Sequence, residues 1–130
     1  MPSLSPLQVV VPYGPAGSSA RVRALDWLAH TGVQATTHDY LGLPANYPHL
    51  VLSHPFAAAR AEAHLARLTR RVSDSTVFLV REASPFSRGR VEAALLGRSA
   101  RGVYDFDDAL MIPAHGLVER VFSKAVKWRR

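Results

Sequence analysis

One short run of apolar, largely β-branched residues, Leu7-Gln-Val-Val-Val-Pro12, constrains the fold more than any other feature of this sequence, and Ser75-Thr-Val-Phe-Leu-Val80 is read as a further strand. A strand with one face in water alternates apolar and polar residues, whereas a nearly continuous apolar run belongs to a strand covered on both faces. Such strands occur in parallel sheets layered between helices, and the intervening sequence supplies helices. Ser18 or Ser19 can cap one through about His30, with Val22, Leu25, Leu28 and Ala29 at helical spacing and Gly32 as its stop. Phe56 to Arg71 is rich in Ala and Arg, strong helix formers, and Pro55 suits its first turn. A third helix is expected over Pro85 to Leu96, halted at Gly97.

Further strands are expected at Val33–His38, at His49–His54 as a buried strand, and at Arg101–Asp105. A last helix over His115–Trp128 places Leu117, Val118, Val121, Phe122, Ala125 and Val126 on one face, with Glu119, Arg120, Ser123, Lys124 and Lys127 mostly opposite. Strand and helix alternating in this way predict one α/β domain over residues 1–130, a doubly wound, mostly parallel Rossmann-like sheet with helices on both faces. Ligands of such sheets bind beyond the carboxyl ends of the strands. That selects the loops 13–19, 39–47, 54–56, 81–85 and 105–115 as the places where chemistry is expected.

With no cysteine there is no disulfide, no thiolate nucleophile and no Cys-ligated metal. The first twelve residues lack a basic stretch and a long apolar run, so neither a signal peptide nor a membrane span is read there, and a cytoplasmic location is expected. A formal charge of +6 and a pI near 10.5 favour an anionic partner: a phosphorylated substrate, a nucleic acid or an anionic membrane surface.

Within the selected loops, Gly14 and Gly17 lie just before a helix amino terminus, where free N–H groups and the macrodipole favour an anion. Arg21 and Arg23 follow in the first turn, where a cation opposes the dipole unless it is solvated or faces an anion. Arg21 is the candidate for the anion-facing role. In Val103-Tyr-Asp-Phe-Asp-Asp-Ala-Leu110, Asp105, Asp107 and Asp108 put three carboxylates within four residues. An Asx-type turn, a divalent-metal DxD, hydrogen bonds to sugar hydroxyls and a general base are all open readings of that spacing. No pair of histidines has metal-ligand spacing, so a zinc site is not expected; His54 and His115 fall in the selected loops and are the histidines to test as acid/base groups.

The stretch "VVVPYGPAGSSARVRALDWLAHTGVQA" resembles the opening strand, glycine loop and first helix of GT-B glycosyltransferases that use nucleotide sugars, and "GVYDFDDAL" is similar to the VYDxDD segment after a later strand of the same amino-terminal domain in many bacterial members. The motifs occur in the family's order, and the resemblance runs along essentially the entire chain. It implies that the chain is the acceptor-side half of a two-domain enzyme, inactive alone, with the nucleotide-sugar donor held mainly by a second domain or subunit. The sequence would then be a truncated chain, a fragment or one subunit of a split enzyme.

Under the resemblance Gly14 and Gly17 approach the donor diphosphate, and Ser19 and Arg21 line the same cleft, with His54 grouped among the substrate- and phosphate-binding residues. Asp105 and Asp107 shape the acceptor side and are the candidate catalytic residues, while Asp108 is a structural cap. No metal and no cofactor are implied. The acceptor is a sugar or a lipid-linked molecule. The basic amphipathic segment 116–130 resembles surfaces that dock such enzymes on anionic membranes, the alternative being that its apolar face packs on the sheet. Competing expectations are a non-catalytic Rossmann-like binding module and a metal-dependent GT-A-like enzyme using Asp105 and Asp107. Nucleic-acid binding is disfavoured, because the basic residues are spread over several helices with no aromatic platform.

Overall fold

A computed structural model describes residues 5–12, 20–42 and 51–105. Four parallel strands form one sheet: β1 (Leu7–Val10), β2 (Ala35–His38), β3 (Thr76–Val80) and β4 (Arg101–Asp105), in the spatial order β2-β1-β3-β4. A π-helical turn, Arg21–Leu25, leads directly into helix α1 (Asp26–Thr31), which Gly32 ends in the left-handed conformation at φ 68°. Helix α2 (Pro55–Arg71) carries the chain from β2 to β3, and α3 (Arg90–Arg98) carries it from β3 to β4. This is a doubly wound α/β fold.

The sheet is covered on both sides by separate apolar clusters. Val10, Val77 and Leu79 point to one face, where Ala58, Ala61, Leu65 and Leu68 of α2 and Leu95 of α3 bury them together with Tyr40, Val51, Val72 and Ala83. Val9, Val11 and Val80 point to the other, against Ala20 and Ala24 at the start of the first helical segment. Val9, Val10, Val77, Leu79 and Val80 are each no more than 1% exposed, as the continuous apolar runs require of central strands.

Register explains how the faces are built. Val9 lies opposite Phe78, and Phe78 opposite Val103, so one row of like-facing residues crosses β1, β3 and β4. The row beyond it pairs Val80 with Asp105. On the other face Gly102 lets α3 approach β4: a Cβ there would stand 3.0 Å from Leu96 Cδ2 and 3.1 Å from the Leu96 carbonyl oxygen.

Two expectations need correction. The buried strand expected at His49–His54 is not present over 51–54: Val51 and Leu52 are helical, Ser53 is in a turn, and Leu52 is 58% exposed. Both sides of β1 are already taken by β2 and β3. The third helix starts at Arg90 rather than Pro85 and passes through Gly97 to Arg98, because residues 83–87 are held in a bend by Glu92. The expected final helix lies outside the described residues. Among those described, no helix is long and apolar enough to cross a membrane.

Candidate functional site

The direction of winding changes between β1 and β3, since the chain moves outward from β1 to β2 and then returns past β1 to β3. A crevice opens at such a switch point beyond the carboxyl ends of the two strands. Over β1 it is reached by Val11 and Pro12, which lead into the glycine loop; over β3, by Arg81 to Ser84; over β4, by Asp105.

An ion pair spans this edge. Arg23 Nη1 donates to both carboxylate oxygens of Asp105, at 2.9 and 2.8 Å, with the two side chains 29% and 32% exposed. The cation that opposes the macrodipole is therefore compensated by an anion of the chain itself, and Arg23 rather than Arg21 is the residue involved. The π-helical turn carries both arginines; Arg21 is exposed and Arg23 partly buried. Asp105 is held at its backbone too, because its carbonyl accepts from Arg81 N–H at 2.8 Å.

Arg81 closes β3 in the left-handed region at φ 62°, sparsely populated for a side chain of this size. β4 fixes it at both ends of its peptide unit: its N–H is held by Asp105, and its carbonyl accepts the Tyr104 hydroxyl at 2.8 Å. The segment after it rests on two carboxylates. Glu92, 9% exposed, accepts from Ala83 N–H at 2.8 Å, Ser84 N–H at 3.0 Å and the Ser87 hydroxyl at 2.7 Å. Glu62 Oε1 accepts from the Ser84 hydroxyl at 2.5 Å and from Tyr40 at 2.8 Å, and burial together with Glu62 pushes the Tyr40 phenol well above its ordinary range. Ser84 Oγ in turn accepts from Phe86 N–H at 3.1 Å.

The N–H groups of Ala83, Ser84 and Phe86 and the hydroxyls of Ser84 and Ser87 are thus all held, which braces this wall of the crevice. Beside it, Arg81, Ser84, Arg88, Gly89, Glu92 and Tyr104 line an open cleft of about 360 Å³.

A second titratable pair lies apart, where β2 meets α2. His38 Nε2 contacts Gln8 Oε1 at 2.7 Å, and His38 Nδ1 contacts His64 Nε2 at 2.9 Å. Gln8 Oε1 only accepts, so neutral His38 carries its proton on Nε2 and accepts from His64 through Nδ1. Burial, then the neighbouring His64, lowers the His38 pKa against an opposing pull from Asp39.

Of the residues expected to act, Asp105 is in the crevice as the partner of Arg23, and Arg21 is exposed on the π-helical turn. His54 is exposed at the residue preceding α2, with Nδ1 3.0 Å from Ser53 Oγ. A helix connecting the carboxyl end of β2 to the amino end of β3 begins on the crevice side of the sheet, so His54 lies on that side, after the helical residues Val51 and Leu52. Gly14, Gly17, Ser19, Asp107, Asp108 and His115 lie outside the described residues. Among those described, no cluster of three or more His, Asp or Glu could hold a metal ion.

Sequence reasoning missed Glu62 and Glu92, and it placed Ser84 in a selected loop without singling it out. Their signal was present in one respect: Glu92 is the third residue of α3, the position from which a Glu reaches back to unpaired N–H groups. A helix start misplaced at Pro85 put Glu92 in the helix interior and hid this. Comparison of the chain with protein-family models, with curated proteins and with solved structures finds no match.

Proposed function

We propose that the chain is the acceptor-side half of a glycosyltransferase, which contributes a crevice wall and a phosphate-facing loop to transfer from a nucleotide sugar whose binding is completed by a second domain or subunit. The observation that carries this reading is the Arg23–Asp105 ion pair. It joins the helix after the glycine loop to the first residue of the acidic segment, so that the two stretches bearing the family resemblance meet at one edge of the sheet, across 82 residues of sequence.

In this reading the ion pair aims two loops. Asp105, its oxygens taken by Arg23 and its carbonyl by Arg81, acts as a positioning residue that sets where the following acidic residues enter the crevice. Asp107 is left as the carboxylate for acceptor hydroxyls, and Arg21 as the cation for the donor diphosphate. No metal is required by this division of roles.

Amide chemical shifts of the isotope-labelled chain, titrated with a uridine or guanosine diphosphate sugar, test it. Weak shifts confined to residues 20–25 and 81–84, unaffected by Mn²⁺, are expected. Tight binding centred on residues 105–108 and dependent on Mn²⁺ would transfer the assignment to a metal-dependent GT-A-like enzyme. Silence towards every nucleotide sugar and every simple glycoside would leave a Rossmann-like binding module without catalysis.

A further inference from the structure

Among the described residues, a pair of metal-ligating side chains takes no part in the crevice: His38 at the end of β2 and His64 in the middle of α2, 26 residues apart, a separation that no local spacing reveals. Strand register and helix periodicity bring them together. Val10 faces α2; Gln8, two residues before it, and His38, opposite it in the parallel pairing, face the same way. His64 is three residues after Ala61 and four before Leu68, so it stands on the flank of the helix stripe buried against that face.

Ring geometry sets the two imidazoles as a pair of ligands. His38 Nδ1 and His64 Nε2 face each other at 2.9 Å, with ring centroids 5.0 Å apart. Imidazole nitrogens hold a metal at ~2.0–2.1 Å, which puts two ring centroids on one ion ~4.5 Å apart at a 90° angle and ~5.2 Å apart at a tetrahedral one. The observed separation falls between these values, so a pivot of the rings admits an ion without movement of β2 or α2. Gln8 Oε1 accepts from His38 Nε2 at 2.7 Å, the outer contact that fixes tautomer and ring orientation in a metal-binding histidine and turns its other nitrogen to the ion. His64 is exposed, and the chain has no cysteine to compete as a ligand. The charge of Asp39 acts on His38, while Arg60 and Arg67 lie one turn either side of His64, so affinity comes from coordination rather than from the surrounding field.

We propose that His38 Nδ1 and His64 Nε2 form a binding site for a divalent transition-metal ion of the kind imidazole prefers, Cu²⁺, Ni²⁺ or Zn²⁺, with Gln8 as its positioning residue. Binding replaces the hydrogen bond between the rings with two nitrogen–metal bonds. Two waters leave the hydrated ion, and the His64 proton moves from Nε2 to Nδ1, so neutral rings bind with no net change in protons. Two protein ligands are fewer than a closed structural site supplies, so the ion keeps water in its other positions and is held reversibly. Its effect is to clip β2, which ends the described sheet, to α2. The inference uses none of the crevice residues and is independent of the glycosyltransferase reading.

Paramagnetic Cu²⁺, added in substoichiometric amounts to the isotope-labelled chain slightly above neutral pH, reads the site without any substitution. Amide signals of residues 8, 37–39 and 63–65 are expected to fade first. Fading that begins equally around His30, His49, His54 and His115 overturns the proposal, since it marks adventitious binding to any histidine. Calorimetric titration with Zn²⁺ gives the affinity. His64→Asn is expected to weaken binding at least tenfold, whereas His30→Asn, on α1, leaves it unchanged. No loss with His64→Asn, or the same loss with His30→Asn, overturns the proposal. Gln8→Glu gives His38 Nε2–H a more basic partner and is expected to tighten binding about threefold, a gain that damage to the fold does not produce. Unchanged or weaker binding by this variant overturns the role given to Gln8.

Discussion

The two faces of the sheet are built from adjacent residues of the same strands and differ sharply in how they are filled. Leu79 faces α2 and α3 and is fully buried; Phe78, its neighbour, faces the α1 side and is only partly so. On the first face two helices bring Leu65, Leu68 and Leu95 down onto the strands, while on the second the π-helical turn and the residue before it meet them through Ala24 and Ala20, and α1 through the partly buried Leu28. One face contains most of the core; the other combines a small core with the ion pair that organises the crevice. Most of the core and the Arg23–Asp105 ion pair thus lie on different faces of the sheet.

The strongest way to break that distinction is Leu79→Ala, expected to cost about 2–5 kcal/mol in denaturant unfolding, against about 1–2 kcal/mol for Phe78→Ala. Equal losses would mean that the α1 side is as tightly covered as the other. Next, Glu92→Ala leaves the N–H groups of Ala83 and Ser84 without their acceptor and is expected to cost ~2–3 kcal/mol, with hydrogen exchange at those two amides rising more than elsewhere. Gly102→Ala presses a methyl group onto Leu96 and is expected to cost about 1–3 kcal/mol, with its largest chemical-shift changes in α3.

Arg23→Ala is expected to cost at most ~1 kcal/mol, because both partners are about a third exposed, and the loss should shrink at high salt. If the ion pair positions the acidic segment, amide shifts at 105 and beyond should nonetheless move well out of proportion to so small a loss. The smallest effect is expected with pH. His38 has its pKa lowered in the folded chain, so the unfolded chain binds more protons below the ordinary value of 6.5. Its contribution to stability is complete above that pH and declines as pH falls through it. His64→Ala removes the second cause of the shift and should flatten the dependence.

The sequence was most legible where burial on both faces wrote an unbroken pattern. β1 and β3 stand out for this reason, and Arg101–Asp105 ends where the acidic residues begin. It was least legible at Val51-Leu52, where adjacent apolar residues fit a strand and a helical turn equally well and only tertiary packing, with Val51 inward and Leu52 outward, decides. The crevice was legible in outline, since strand ends and loops follow from the alternation of elements. Its internal partners were not. Nothing local in Arg23 or Asp105 specifies the other, because their meeting depends on the order of strands across the sheet. Glu62 is unremarkable as a helix residue and acquires its role from the bend that packs against it, while the signal of Glu92 depends on knowing where α3 starts.

The π-helical turn at Arg21–Leu25 has a consequence for how the chain tolerates change in length. Its backbone bond runs from Asp26 N–H to the Arg21 carbonyl, accommodating one residue more than an α-helical turn would. Each residue of an α-helix advances the side chains by about 100°. Removing Val22, an exposed residue, would let the segment wind as an ordinary helix. Ala20 and Ala24 would then be three residues apart instead of four, and either spacing keeps them on one helix face against the sheet. The surplus residue therefore marks a place where the chain is expected to tolerate a one-residue deletion better than within α2 or α3.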